Sequence, residues 1–157
     1  LHTNGYSLVR MLMDRMPQMK LDKVAGETFI EQIMKVHTPY YKVIKNISDK
    51  VHGMAHITGG GIEGNLCRII PDGLCAEIDL TKIRVLPVFS YIQKMGNIEE
   101  EEMLATFNCG VGLAIVVSQE KKEAVMESVR KCYDCYEVGR IVPGQKRVAF
   151  GGRLQIV

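Results

Sequence analysis

Val111 to Val117 is the longest markedly apolar run in the chain, and it limits the folds available. It falls far below the ~18 residues that a membrane-spanning helix needs. Bounded by Gly110 and Ser118, it suits a strand buried in a core. A central strand from Gly110 to Val117 is therefore expected, with the rest of the chain supplying the layers that cover it.

Short periodic segments surround that strand. Tyr6 to Met16 sets Leu8, Met11, Leu12 and Arg15 at helical spacing, with Asn4 and Gly5 leading in and Pro17 stopping the helix. Beyond a polar link, Glu27 to Val36 predicts a helix through Ile30, Ile33 and Met34. Thr38-Pro39 opens another, with Tyr40, Val43, Ile44 and Ile47 on one face. Val51 to Ile57 reads as a strand running into Thr58-Gly59-Gly60-Gly61, followed by a short helix through Leu66 and Ile69. Pro71-Asp72-Gly73 is a turn before a strand from Leu74 to Leu80. Pro87 starts a helix that buries Val88, Tyr91, Ile92 and Met95 and stops at Gly96. The acids Glu99 to Glu102 suit the start of the next helix, where they favour its dipole. Ser118 is placed to cap a helix from Gln119 to Lys131, with Val125, Ser128, Val129 and Cys132 along one side. Two closing strands, Tyr136 to Val142 and Arg147 to Phe150, flank a turn at Pro143-Gly144. The order predicts an α+β (α/β layered) domain, a mixed β-sheet packed with α-helices. At 157 residues and 46% apolar content, one core and one domain are expected.

Composition excludes several function classes. A net charge of +2 with 24% charged residues is too balanced for a nucleic-acid surface, and the pairs Lys121-Lys122 and Lys146-Arg147 read as solvated surface. The first residues lack the basic segment, apolar stretch and cleavage site of a signal peptide. A chain opening at Leu1 on a polar, glycine-containing motif is expected to be a piece of something longer. Five cysteines, an odd number, read as reduced thiols in a cytoplasmic protein. Cys132 and Cys135 form a lone pair without the further ligands of a zinc site; core packing is the expected role, and no metal ligands are assigned.

Two segments are richer in polar and glycine residues than a core needs. In Leu1-His2-Thr3-Asn4-Gly5-Tyr6-Ser7, His2 and Asn4 either bond a ligand or serve as a helix cap with a neighbouring surface histidine. In Ala55-His56-Ile57-Thr58-Gly59-Gly60-Gly61, the glycines allow close backbone approach to an anion such as phosphate, or form a plain hinge. The loop has neither the Gly-Lys-Ser/Thr ending of a Walker A motif nor dinucleotide-binding spacing.

Taken together, these segments resemble the AIR synthases, also called phosphoribosylformylglycinamidine cyclo-ligases. Three further stretches agree: Asn65-Leu66-Cys67-Arg68-Ile69-Ile70-Pro71-Asp72-Gly73, Glu102-Met103 followed by Thr106-Phe107-Asn108-Cys109-Gly110-Val111-Gly112, and the closing Val138-Gly139-Arg140-Ile141, which fits the family's final hairpin. The resemblance spans nearly the whole chain and implies the carboxy-terminal domain of a two-domain cytoplasmic enzyme of purine biosynthesis. Such an enzyme uses ATP and Mg2+ to phosphorylate the amide oxygen of formylglycinamidine ribonucleotide, so that the amidine nitrogen closes the ring. It further implies a cleft between the halves, an amino-terminal domain holding most ATP and Mg2+ contacts, and a homodimer of the full-length protein. This chain alone would be inactive, and neither nucleic acid nor membrane is expected as a partner.

Carried over by position, His2 and His56 are the expected catalytic groups. Asn4, Thr58, Gly59, Gly60, Gly61, Thr106 and Asn108 are the expected substrate contacts. Pro39 stands about where many members carry an arginine, and His37 is the residue available to replace it. The alternatives are another ATP-dependent member of the superfamily (thiamine-phosphate kinase, selenophosphate synthetase or formylglycinamidine ribonucleotide synthetase) and a stand-alone, non-catalytic domain that binds a phosphorylated ligand or a partner.

Overall fold

The computed structural model describes residues 1–145 and 147–155. Lys146, half of the basic pair noted above, lies outside the described residues. Helix α1 (Tyr6–Arg15) ends where Pro17 opens a 3-10 turn over Pro17–Leu21. Its buried face is Val9, Leu12 and Met13, rotated from the expected one, with Met11 exposed. The expected polar link holds a small hairpin instead, β1 (Lys23–Val24) and β2 (Glu27–Thr28). Ala25 and Gly26 at its tip both have positive φ, as a two-residue turn between twisted strands requires.

Thr28 caps α2 (Phe29–Ile33) through a reciprocal box with Glu31. That helix stops earlier than expected and leaves Met34 and Val36 exposed. Helix α3 (Tyr41–Ile47) begins two residues after Pro39. Strand β3 (Gly53–His56) runs through the glycine loop into α4 (Gly61–Leu66). Strand β4 (Leu74–Asp79) follows, then α5 (Pro87–Gly96), whose left-handed cap is Asn97 rather than Gly96. Helix α6 (Glu100–Thr106) carries its three acids in the first turn. Strand β5 (Leu113–Val116), helix α7 (Lys122–Arg130) and strands β6 (Gly139–Pro143) and β7 (Val148–Gly151) complete the order. Helix α7 starts after a turn, so Ser118 does not cap it with its side chain.

The architecture is α+β, with three small sheets among the described residues instead of one. Among the described residues strand β5 pairs antiparallel with β3 alone, so the apolar run is not a central strand there. Its residues are half-buried and serve two layers. Ala55, Ala114 and Val116 join the main core, while Met54 and Ile115 face Val43 and Ile47 of α3 and Val125 and Val129 of α7. Continuous apolarity here reflects helices on both faces rather than strands on both edges.

The closing strands do not pair as a hairpin either. They flank β4, with β6 antiparallel on one side and β7 parallel on the other. The chain turns across the start of β4, where the Gly144 N–H donates to the Gly73 carbonyl at 3.0 Å. Phe29, Phe89 and Phe107 anchor the main core. Cys132 is exposed, against the expected core role, and Cys135 is half-buried beside the α3–α7 cluster.

Candidate functional site

Three stretches distant in sequence bring polar rings to one place. The segment before α1 supplies His2, the end of β3 supplies His56, and the link between α2 and α3 supplies His37 and Tyr40. His2 is buried, at 8% exposure, and its ring lies 4.4 Å from that of His37 and 5.2 Å from that of His56, centroid to centroid. Its Nδ1 lies 3.3 Å from the Ile57 carbonyl and its Nε2 3.1 Å from the Tyr40 hydroxyl. A carbonyl only accepts, so Nδ1 carries the proton and Nε2 accepts from Tyr40.

Burial, and then the neighbouring His37, push the His2 pKa down to about 4, so the ring is neutral at physiological pH. Burial likewise raises the Tyr40 phenol, which keeps its donor proton. His56 is exposed, with its Nε2 3.2 Å from the Nε2 of His37, and burial of the ring lowers its pKa as well. Gly112 makes the arrangement possible. A Cβ there would stand 1.7 Å from the Tyr40 hydroxyl and 2.4 Å from His2 Cε1.

The glycine loop lies one residue beyond Ile57, whose carbonyl receives His2. Gly60 and Gly61 both have positive φ, the conformation in which glycine is strain-free. The Gly61 N–H donates to the Thr58 carbonyl. The N–H groups of Gly59 and Gly60 have no protein acceptor among the described residues. Asn65, buried at the end of α4, donates to the carbonyls of Thr58, Gly59 and Gly61 at 3.4, 3.1 and 2.8 Å. The carbonyl side of the loop is thus bound from within.

Asn4 does not cap α1. Its Nδ2 donates to the Thr106 carbonyl at 2.6 Å, and its Oδ1 is buried without a partner among the described residues. The Thr106 hydroxyl donates to Glu102, and Asn108 Oδ1 accepts from the Gly110 N–H inside its own turn. Beside Gly60 a pocket of about 460 Å³ opens, lined also by Glu63, Gly64, Glu101, Leu104 and Phe150. Two carboxylates on its wall repel phosphate.

Of the expected residues, the structure therefore joins His2 with His56 and sets Asn4 beside the loop. A Cβ on Gly59 would lie 3.9 Å from that of Asn4. Thr106 takes part through its carbonyl, and Asn108 holds a turn. Tyr40, Asn65 and Gly112 were not expected as site residues. Tyr40 reads as an apolar helix position and Gly112 as part of a strand, and only the tertiary fold brings them to His2. The three imidazoles of His2, His37 and His56 do not fit Mg2+, a hard ion that takes oxygen ligands. Among the described residues the one cluster able to hold a metal is His2, His37 and His56.

Residues 1–151 match the model of the family described as AIR synthase related protein, C-terminal domain. The chain belongs to that family. A phosphoribosylformylglycinamidine cyclo-ligase of Bacillus cytotoxicus is 42% identical over 97% of this chain, which covers 45% of that protein. Its namesake in Nitrosococcus oceani is 37% identical over 95% of this chain and is 43% covered. The chain thus spans under half the length of these relatives. Among solved structures, thiamine-monophosphate kinase from Stenotrophomonas maltophilia aligns with a TM-score of 0.62 at 16% identity. That alignment covers 96% of this chain and 48% of the kinase, and shows a shared fold. No described helix is long and apolar enough to cross a membrane.

Proposed function

We propose that the chain is the carboxy-terminal half of an ATP-dependent cyclo-ligase converting formylglycinamidine ribonucleotide to aminoimidazole ribonucleotide. What carries this reading is the 42% identity, over 97% of the chain, to a protein of that name. ATP supplies a phosphoryl group that makes the amide oxygen a leaving group; the amidine nitrogen then bonds to that carbon and phosphate departs. Its contacts, and those of Mg2+, are assigned to an amino-terminal half outside these 157 residues.

This chain's share is positioning and proton handling. His2, held neutral between Ile57 and Tyr40, is a fixed polar surface. Both ring nitrogens of His2 are engaged, Nδ1 with Ile57 and Nε2 with Tyr40, which favours the exposed His56 for taking the proton released on ring closure. Asn4 brings an acceptor without a partner among the described residues, Gly59 and Gly60 bring N–H donors to the same edge, and the Thr58 hydroxyl, which donates to Asn65 Oδ1 at 3.5 Å, lies beside them. Gly61 shapes the loop, while Thr106 and Asn108 hold Asn4 and the following turn. The whole protein is read as a cytoplasmic homodimer of purine biosynthesis.

The test is a chimera that joins this chain to the amino-terminal half of the Bacillus cytotoxicus relative. ATP-dependent release of aminoimidazole ribonucleotide is expected from the chimera and none from the 157-residue chain alone. A folded chimera that binds ATP yet makes no product overturns the reading, and so does turnover by the chain alone.

A further inference from the structure

We propose that His2, His37 and His56 form a binding site for a borderline divalent cation of the Zn2+ class, leaving one coordination position for water or an anion. The inference needs only the three rings; an ion held there occupies the His56 lone pair, so it replaces the proton-carrying role given to that ring above, and a metal titration tests it separately from turnover. One ring nitrogen of each lies within 4.8 Å of one from each of the others. A tetrahedral ion with Zn–N bonds of about 2.0–2.1 Å sets its nitrogens about 3.3–3.4 Å apart. The Nε2 atoms of His37 and His56 already stand 3.2 Å apart, close to that edge. The third nitrogen has at most about 1.5 Å to travel to complete a face of the tetrahedron.

The donor chemistry selects the ion. Imidazole suits Zn2+ and its neighbours, whereas Mg2+ and Ca2+ take oxygen ligands, and no carboxylate joins the cluster among the described residues. A ligating histidine normally donates its other N–H to a carbonyl, which fixes tautomer and ring orientation. His2 already does so through Nδ1 to Ile57, leaving the Nε2 lone pair, which an incoming ion takes over from the Tyr40 hydroxyl. Burial graded from His2 through His37 to the exposed His56 leaves the ion anchored on one side and open to solvent on the other.

Calorimetric titration of the untagged chain with Zn2+ is expected to give one ion per chain. Co2+ should give the intense visible bands of a four-coordinate site, and Mg2+ no binding. His37→Asn and His56→Asn should each weaken Zn2+ at least tenfold, and His52→Asn, at the fourth histidine and outside the cluster, should not. Melting of each metal-free variant reports whether it folds. Should His37→Asn fail to fold, the exposed His56→Asn decides the question. Absence of one-to-one binding, unchanged affinity in a folded cluster variant, or an equal loss in His52→Asn overturns the proposal.

Discussion

The glycine loop offers a sharp test, because three glycines within five residues meet different surroundings. Gly61 has φ +60°, and a Cβ there would stand 1.7 Å from the Leu104 carbonyl oxygen and 3.2 Å from that of Phe107. Both atoms are backbone, so α4 and α6 must separate. Positive φ costs an alanine about 1–2 kcal/mol and overpacking adds about 1–3, so Gly61→Ala should lose about 2–5 kcal/mol. Gly60 has φ +91°, but the nearest atom its Cβ would meet is Gly64 Cα at 3.5 Å, an ordinary contact. Gly60→Ala should therefore lose the strain alone, about 1–2 kcal/mol. Gly64 has open space within α4, and alanine there should gain roughly 0.5–1 kcal/mol. Urea unfolding followed by far-ultraviolet circular dichroism, with unchanged m-values, gives all three numbers. At ~2–4 °C per kcal/mol for a chain of this size, Gly61→Ala should melt roughly 4–20 °C below the parent. If Gly60→Ala costs as much as Gly61→Ala, the close approach of α4 to α6 does not explain the loop.

Asn65→Ala removes the two N–H donors that three loop carbonyls share and should cost about 2–3 kcal/mol at ~1 kcal/mol per bond plus desolvation, read as a lowered urea midpoint. Thr28→Ala opens the capping box of α2 and should cost about 1 kcal/mol, with Glu31→Gln, which keeps the reach to the Thr28 N–H, costing less. Burial, with Glu100 adding a smaller push, raises the Cys109 thiol to about 12, while Cys132 is exposed. In the native protein at pH 8, iodoacetamide should alkylate Cys132 and spare Cys109, and mass spectrometry of the digest would read the sites.

Features set by local chemistry were legible in the sequence. Pro17 and Pro87 bound their helices because proline fixes φ and removes a donor, wherever the rest of the chain lies. The strand, glycine loop and helix from Gly53 to Leu66 were legible for the same reason: only glycine relaxes at the φ values of Gly60 and Gly61. Features decided by partners were not. The expected face of α1 was turned because Leu8, Val9, Leu12 and Met13 give nearly equal helical spacings, and the core chose among them. An all-apolar β5 was consistent with neighbours on its edges or on its faces, and the structure supplies faces. The closing strands were separable only by seeing β4 come between them.

The same division runs through the site. His2 and His56 stood out by motif, but their meeting depends on Gly112, the one residue in the apolar run that contributes no side chain. As part of a strand that glycine reads as a weakness, since it packs nothing and costs entropy. In the fold it is the opening through which Tyr40 reaches His2. An alanine there must displace both the phenol and the imidazole, so the residue that looks least functional in the strand holds the cluster's geometry. The backbone neighbours of Gly112 tie this to the glycine loop: its carbonyl accepts from Ile57 N–H at 3.0 Å, and the Ile57 carbonyl in turn meets His2. One residue, Ile57, thus links the ring cluster and the start of the loop to Gly112 through its N–H and its carbonyl, and a shift at Gly112 is felt at both.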